Sequence, residues 1–268
     1  MSSTDYELLE SSWGGYTSTI YHIPNDSRKI CKSFSGKYAQ TNFPAEVAAY
    51  ERFMARDHPS SILKYYGVDK TRADSIVLEL AANGNFLKYR LDHIQFGDPT
   101  PSPETFCRWA SQAAEGLAFA HSCNVLHSDI HCVNLFLDED LNLKVADFAG
   151  ASINGGRSYS TYRLTHRLFD WDGNDMPSMK ITVACEIFAF GSALYTMVAG
   201  HDLFPELDDS RDREEIVQLL QKRMFPDTKT LPALGPVIRK CWNLVFVSMN
   251  EVQEAIEAEK KSLDNQGK

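Results

Sequence analysis

Residues 127–134 read His-Ser-Asp-Ile-His-Cys-Val-Asn, and a second turn, Asp147-Phe148-Ala149-Gly150, opens thirteen positions past Asn134. Short apolar runs bracket both stretches. Asn124-Val125-Leu126 precedes the first, Leu135-Phe136-Leu137 follows it, and Leu143-Lys144-Val145-Ala146 leads into the second. With the turn signal Asp138-Glu139-Asp140 between two of these runs, the pattern predicts short strands flanking polar loops. An Asp followed five positions on by an Asn arises often by chance. Its setting between strands constrains the fold.

Upstream the segments are β-type. Thr19-Ile20-Tyr21-His22-Ile23, a turn at Pro24-Asn25-Asp26, and Lys29-Ile30-Cys31-Lys32-Ser33-Phe34 read as a hairpin. Glu46 to Arg56 is helical by period, with Val47, Tyr50, Phe53 and Met54 on one face and Pro44 near its start. Ile62 to Val68 and Ser75 to Leu80 are further strands, and Asn83-Gly84-Asn85 is a break. Beyond it, Pro103 to His121 carries apolar residues at helical spacing. Residues 151–180 are irregular and rich in Ser, Thr, Gly, Asp and Asn, a length expected of functional or disordered loops. Val183 to Ala199 is apolar nearly all round, as a buried helix would be. Glu214 to Arg223 and Pro232 to Trp242 are amphipathic, and the chain past Glu259 is expected to fray.

Length and composition exclude several classes. The 268 residues suffice for two lobes, and 43% apolar with 24% charged residues is ordinary for a globular protein. A net charge of −9 argues against a nucleic-acid surface, which needs clustered Lys and Arg. The six cysteines include no C-x-x-C pair, which fits buried thiols in a reducing compartment. Met1 to Glu10 is polar and acidic, so no signal peptide is expected, and no apolar run approaches a membrane span. A cytoplasmic location, no membrane partner and a monomer are the default expectations.

The order of elements resembles the protein-kinase fold, an α+β architecture with a small β-rich N-lobe and a larger, mostly helical C-lobe. The phrases HPSSILKYYG, VLELAANGNF, HSDIHCVN, KVADFAG and FAFGSALYTMVAG, with FPD and RKCW after them, are similar to fungal protein-kinase-like proteins. The resemblance covers residues 8–258, with the N-lobe at about 8–82, the C-lobe at about 83–258, and tails at 1–7 and 259–268.

The resemblance implies ATP, Mg²⁺ and a protein substrate, with Ser or Thr as the acceptor. Phosphoryl transfer needs a carboxylate to orient the attacking hydroxyl and oxygen ligands to hold Mg²⁺ on the phosphates. Asp129 would be that base, with Asn134 and Asp147 as the metal ligands. Lys32 would grip the phosphates and Glu46 would pair with it, although Glu51 competes from another face. Gly14 and Gly15 would cover the phosphates. Leu78 would precede a hinge at Glu79 to Ala81, while Ile20 and Ile30 from above and Phe136 from below would sandwich adenine. His127, Phe148 and Tyr50 would stack as a structural spine.

The sequence also departs from the family. In SSWGGYTSTIY, Ser18 and Thr19 stand where a last glycine is expected, which loosens the close approach of backbone to phosphate. Ser128 replaces an Arg, so ordering of a phosphorylated loop by that route is not expected. His131 replaces a Lys near the γ-phosphate, Ala149 a Gly, and Glu186 a buried Asp. No Ala-Pro-Glu precedes Glu186. These departures keep two alternatives open: a catalytically weak or dead pseudokinase that acts as a binding module, and a small-molecule phosphotransferase.

Overall fold

A computed structural model describes residues 6–9, 17–94, 100–169 and 180–266. Five antiparallel strands form one sheet at the N-terminal end: β1 (Glu7–Leu8), β2 (Ser18–Ile23), β3 (Asp26–Phe34), then β4 (Tyr65–Val68) and β5 (Ser75–Glu79), in the order β1-β2-β3-β5-β4. The β2–β3 hairpin turns through Asn25 at φ 64°, a conformation Asn tolerates better than most residues. Register decides which side chains share a face. Ile20 lies opposite Lys32, and Ile30 opposite Leu78, so the strand period of two gathers all four under the sheet.

Between β3 and β4 runs α1 (Lys37–Met54). It begins nine positions before the expected Glu46, and Pro44 lies inside it. A proline in a helix interior costs about 3 kcal/mol. Tertiary contacts offset that: the ring of Phe43 packs 5.9 Å from Phe34, and Asn42 Nδ2 donates to Ala149 O at 2.9 Å. The buried face consists of Ala45, Glu46, Ala49, Tyr50 and Phe53. Val47 is only partly buried and Met54 is 54% exposed, so the expected face was rotated from the real one.

The larger lobe holds α2 (Phe86–Tyr89), α3 (Pro103–Ser122), β6 (Val125–Leu126), β7 (Leu135–Leu137), β8 (Leu143–Val145), β9 (Ser152–Ile153), α4 (Val183–Ala199), α5 (Arg213–Gln221), α6 (Gly235–Trp242) and α7 (Met249–Gln266). β7 pairs with β8 and β6 with β9, each antiparallel, so the polar loops hang from two short ladders. Ser102 caps α3 through Thr105 N, with Pro103 in the first turn, as the sequence signals there suggest. α4 is buried almost throughout and forms the axis of the lobe, as its composition implied. Three boundaries differ from expectation, the smallest change being α5, which ends at Gln221 instead of Arg223. α6 starts at Gly235 instead of Pro232, and the chain past Glu259 is helical instead of frayed. Glu259 Oε1 accepts from Leu234 N at 2.5 Å, and Leu263 packs against the core, which extends order to the end of α7.

The irregular stretch after β9 is packed where it is described: Tyr162, Leu164, Leu168 and Phe169 are buried. All six cysteines are free and buried. No helix among the described residues is long and apolar enough to cross a membrane.

The segment 60–63, between α1 and β4, is bonded to the larger lobe. Val145 N donates to Ser61 O at 2.7 Å and Leu63 N to Val145 O at 3.0 Å. Lys144 Nζ adds a bond to Ser60 O at 3.1 Å and lies 3.2 Å from Glu79 and 3.8 Å from Asp138. Gly116 of α3 permits this approach. A Cβ there would meet Ser61 O at 2.9 Å and Val145 Cγ2 at 3.0 Å.

Candidate active site

Between the two lobes lies a cleft of about 510 Å³, lined by Ile20, Ile30, Leu78, Glu79, Ala81 and Phe136, with Lys32 and Asp147 in its wall. These are the residues the sequence assigned to adenine and phosphate. Leu80 of the expected hinge and Ser18, which stands in place of a loop glycine, also line it, together with Leu63 and Ala146, whose roles were not read from sequence. Gly14 and Gly15 lie outside the described residues.

Lys32 is held from both sides, since β3 pairs with β2 and β5. Its Nζ lies 2.7 Å from Glu46 Oε2 and 2.8 Å from Asp147 Oδ1. Glu51, the rival partner, is exposed on the far side of α1. Burial alone would lower the pKa of Lys32, but the facing carboxylates of Asp147 and Glu46 hold it above the usual value. One ammonium donates to both carboxylates but neutralises only one unit of their charge. Burial dominates at Glu46 and lifts its carboxyl to about 7. At Asp147 burial works the same way but is outweighed by Lys32, and the carboxyl stays below its ordinary range. Asp147 itself sits at φ 64°, ψ 63°, a left-handed conformation that starts the Phe148–Gly150 turn.

Phe148 anchors that turn in the core. Its ring lies 4.8 Å from His127, 5.6 Å from Tyr50 and 4.9 Å from Phe53, so the expected stack forms with one further member. His127 Nε2–H donates to Ala146 O at 2.8 Å while its Nδ1 accepts from Asp129 N at 3.2 Å. Those two bonds fix the ring and the loop that carries Asp129.

His131 has its tautomer set in the same manner. Val133 N donates to its Nδ1 at 3.2 Å, which leaves the proton on Nε2, 3.3 Å from Asp129 Oδ1. The imidazole that replaces a lysine therefore contacts the candidate base. Asn134 Nδ2 donates to Asp129 O at 2.8 Å, which orients the amide and leaves its Oδ1 as the ligand-type atom. Among the described residues no three His, Cys, Asp or Glu side chains converge on a metal site. Two oxygens, from Asp147 and Asn134, suit Mg²⁺ all the same, because that ion draws its remaining ligands from phosphates and water.

Glu186, at the first turn of α4, is fully buried and acts as a hub. It accepts from His127 N at 2.8 Å, from Ser128 N at 2.9 Å and from His121 Nε2 at 3.2 Å, and the Tyr162 hydroxyl also donates to it. Burial opposes its charge, but these donors, His121 foremost, keep its pKa below the ordinary value. The extra methylene of Glu over Asp is thus accommodated, and Tyr162 and His121 are partners that sequence reading missed. No local pattern marks them, since they lie 24 and 65 positions away in the chain.

Comparison with known proteins follows this geometry. The model of the protein kinase domain matches residues 17–255. The chain is 24% identical to the serine/threonine/tyrosine-protein kinase HT1 of Arabidopsis thaliana over 76% of its own length and 50% of that protein. It is 22% identical to the human testis-specific serine/threonine-protein kinase 4 over 94% of this chain and 79% of that one. The human tyrosine-protein kinase Fer is 23% identical over 85% of this chain and 27% of its own. The chain spans half or less of the first two curated relatives it matches. Plant and animal sources both appear, so the likeness does not single out fungi. With the family pattern running through nearly all of the described fold, the chain belongs to the protein kinase domain family.

Proposed function

We propose that the chain is an ATP- and Mg²⁺-dependent protein kinase that transfers the γ-phosphoryl group to a protein hydroxyl, Ser or Thr. One observation carries the reading: Lys32 joins Glu46 at 2.7 Å and Asp147 at 2.8 Å in the wall of an apolar cleft. That is a positive charge placed for an anionic phosphate beside a carboxylate placed for a cation. Bound at Asp147 and Asn134 Oδ1, Mg²⁺ would supply the charge neutralisation that phosphoryl transfer requires.

The chain's own residues do the remaining work. Ile20, Ile30 and Phe136 offer adenine an apolar slot, and the backbone of Glu79 and Ala81 its polar edge. Asp129, with its side chain 27% exposed, accepts the proton of the incoming hydroxyl while His131 Nε2–H steadies its Oδ1. The same reading takes in a domain at residues 8–258 whose lobes meet near 83, a cytoplasmic location and a monomer.

The test is a thermal shift with ATP plus Mg²⁺, ADP plus Mg²⁺ and Mg²⁺ alone, followed by phosphate transfer to a peptide library with Asp129→Asn as the blank. Stabilisation by metal-nucleotide and transfer that vanishes in the blank are expected. No shift at millimolar nucleotide would replace this reading with that of a pseudokinase, and transfer to small amino-alcohols but never to peptides with that of a small-molecule phosphotransferase.

A further inference from the structure

Lys144 is buried in β8, and the chemistry assigned above leaves it without a task. It stands directly opposite Phe136 in the β7–β8 ladder, so both side chains rise from the same face of it. Phe136 forms the floor of the cleft, and Lys144 reaches the hinge. A buried ammonium is costly unless acceptors surround it. Three do, each from a different segment: Ser60 O at 3.1 Å, Glu79 Oε1 at 3.2 Å and Asp138 Oδ2 at 3.8 Å.

The two acids are not equivalent. Asp138 is engaged by its own turn, where its Oδ1 accepts from Asp140 N at 3.0 Å and from Asn142 N at 2.8 Å. Glu79 is closer to the ammonium, and among the described residues Lys144 is its one cation within 4.0 Å. The other oxygen of Glu79 accepts from Lys64 N at 3.1 Å, while Glu79 N donates to Lys64 O at 2.9 Å. The carboxylate is thus gripped at both oxygens, by the larger lobe at one and by the chain entering β4 at the other.

Glu79 ends β5 and opens the hinge, whose backbone lines the cleft. A backbone donor and acceptor read a base only when they stand at the right height along its edge. Adenine presents an amino donor where guanine presents a carbonyl oxygen. A hinge held still rejects the wrong pattern, and a loose one adapts to it.

We propose that Lys144 is a positioning residue for the nucleotide: by holding the Glu79 carboxylate it fixes the hinge backbone, and so sets the preference for adenine over guanine nucleotides. This rests on the nucleotide site of the kinase reading but not on transfer, and the two are measured separately.

Titration calorimetry with ATP and with GTP, each with Mg²⁺, is run on the wild type, Lys144→Met, Glu79→Ala and the double variant, beside peptide transfer kinetics and melting curves. In Lys144→Met the Kd and KM for ATP should rise about tenfold, the ratio that one hydrogen bond to a charged group supports. Affinity for GTP and kcat should each stay within about twofold. Glu79→Ala keeps the hinge backbone and should reproduce this pattern, and the double variant should lose no more than either single one, because both remove the same contact. A lower melting temperature with the wild-type ATP-to-GTP ratio kept in both single variants would make Lys144 a purely structural tie and overturn the proposal. Additive losses, or a wild type that binds both nucleotides equally, would overturn it as well. Should Lys144→Met fail to fold, Glu79→Ala decides alone: a diminished ratio supports the proposal and an unchanged one overturns it. The expected binding pattern without any transfer by the wild type would remove the kinase reading and leave Lys144 in its role, whereas a wild type that binds no nucleotide would remove both.

Discussion

The two halves of the site are built on different principles. On the nucleotide side, Lys32, Glu46 and Asp147 form a compact set of full charges with 2.7 Å and 2.8 Å contacts, held by a central strand and a buried helix face. On the acceptor side the charges give way to imidazoles. His131 sits on Asp129 where a lysine was expected, His121 supports Glu186, and Ser128 replaces an arginine. A phosphate has one chemistry and needs a fixed cation, whereas an acceptor surface can be rebuilt around each substrate. The difference teaches that loss of expected charges near Asp129 does not imply decay of the nucleotide side.

The strongest test breaks the nucleotide side. Asp147→Asn and Lys32→Met should each lower transfer by at least about a hundredfold, since each removes a group aimed at developing charge or at the metal. Lys32→Met should nevertheless lower the melting temperature by only about 5 °C. Glu46, lifted to about 7 by burial, takes up a proton instead of remaining a bare charge. A collapse of stability with normal turnover would make Lys32 a structural residue.

Next comes the joint between the halves. Glu186→Ala leaves the N–H groups of His127 and Ser128, both buried, without their acceptor. Unfolding free energy should fall by about 3 kcal/mol. Urea denaturation reads this directly, and Glu186→Asp should recover less than half of it because the shorter arm cannot also reach Tyr162. Full recovery would mean that the extra methylene has no role.

The acceptor side offers a gentler change. His131→Lys puts a permanent charge beside Asp129, and peptide phosphorylation should hold or rise by up to roughly tenfold. A hundredfold loss would show that the Nε2–H to Asp129 contact is required, and the imidazole would count as part of the machinery.

The smallest effect is a pH dependence at Glu46. Its folded pKa of about 7 exceeds the unfolded value of 4.5, so between these limits the folded state binds more protons than the unfolded one. Its contribution to stability is therefore greatest below 4.5 and falls as pH rises to 7. Melting temperatures of the wild type relative to Glu46→Gln should decline by a few degrees from pH 5 to pH 8.

What was legible in the sequence follows from how local each cause is. Asp129, Asn134 and Asp147 stand out because their chemistry fixes their spacing, and α4 because no polar face interrupts it. The start of α1 was hidden by Pro44, whose local penalty is offset by Asn42 and Phe43 reaching distant partners. The order of α7 past Glu259 was hidden for the same reason: its composition is polar, and one bond to Leu234 N extends it. Tyr162 and His121 carry no signal in their own neighbourhoods. Their meaning exists only once the chain has folded.

The stitching of residues 60–63 to β8 has a mechanical consequence. Two backbone bonds and the Lys144 ammonium tie that seam to the larger lobe, so a swing of the sheet would turn about it like a door on its jamb. Travel then grows with distance across the sheet, from β4 at the seam outward to β2. Ser18 and Ile20, which line the mouth of the cleft, lie on β2, the strand next to the edge strand β1.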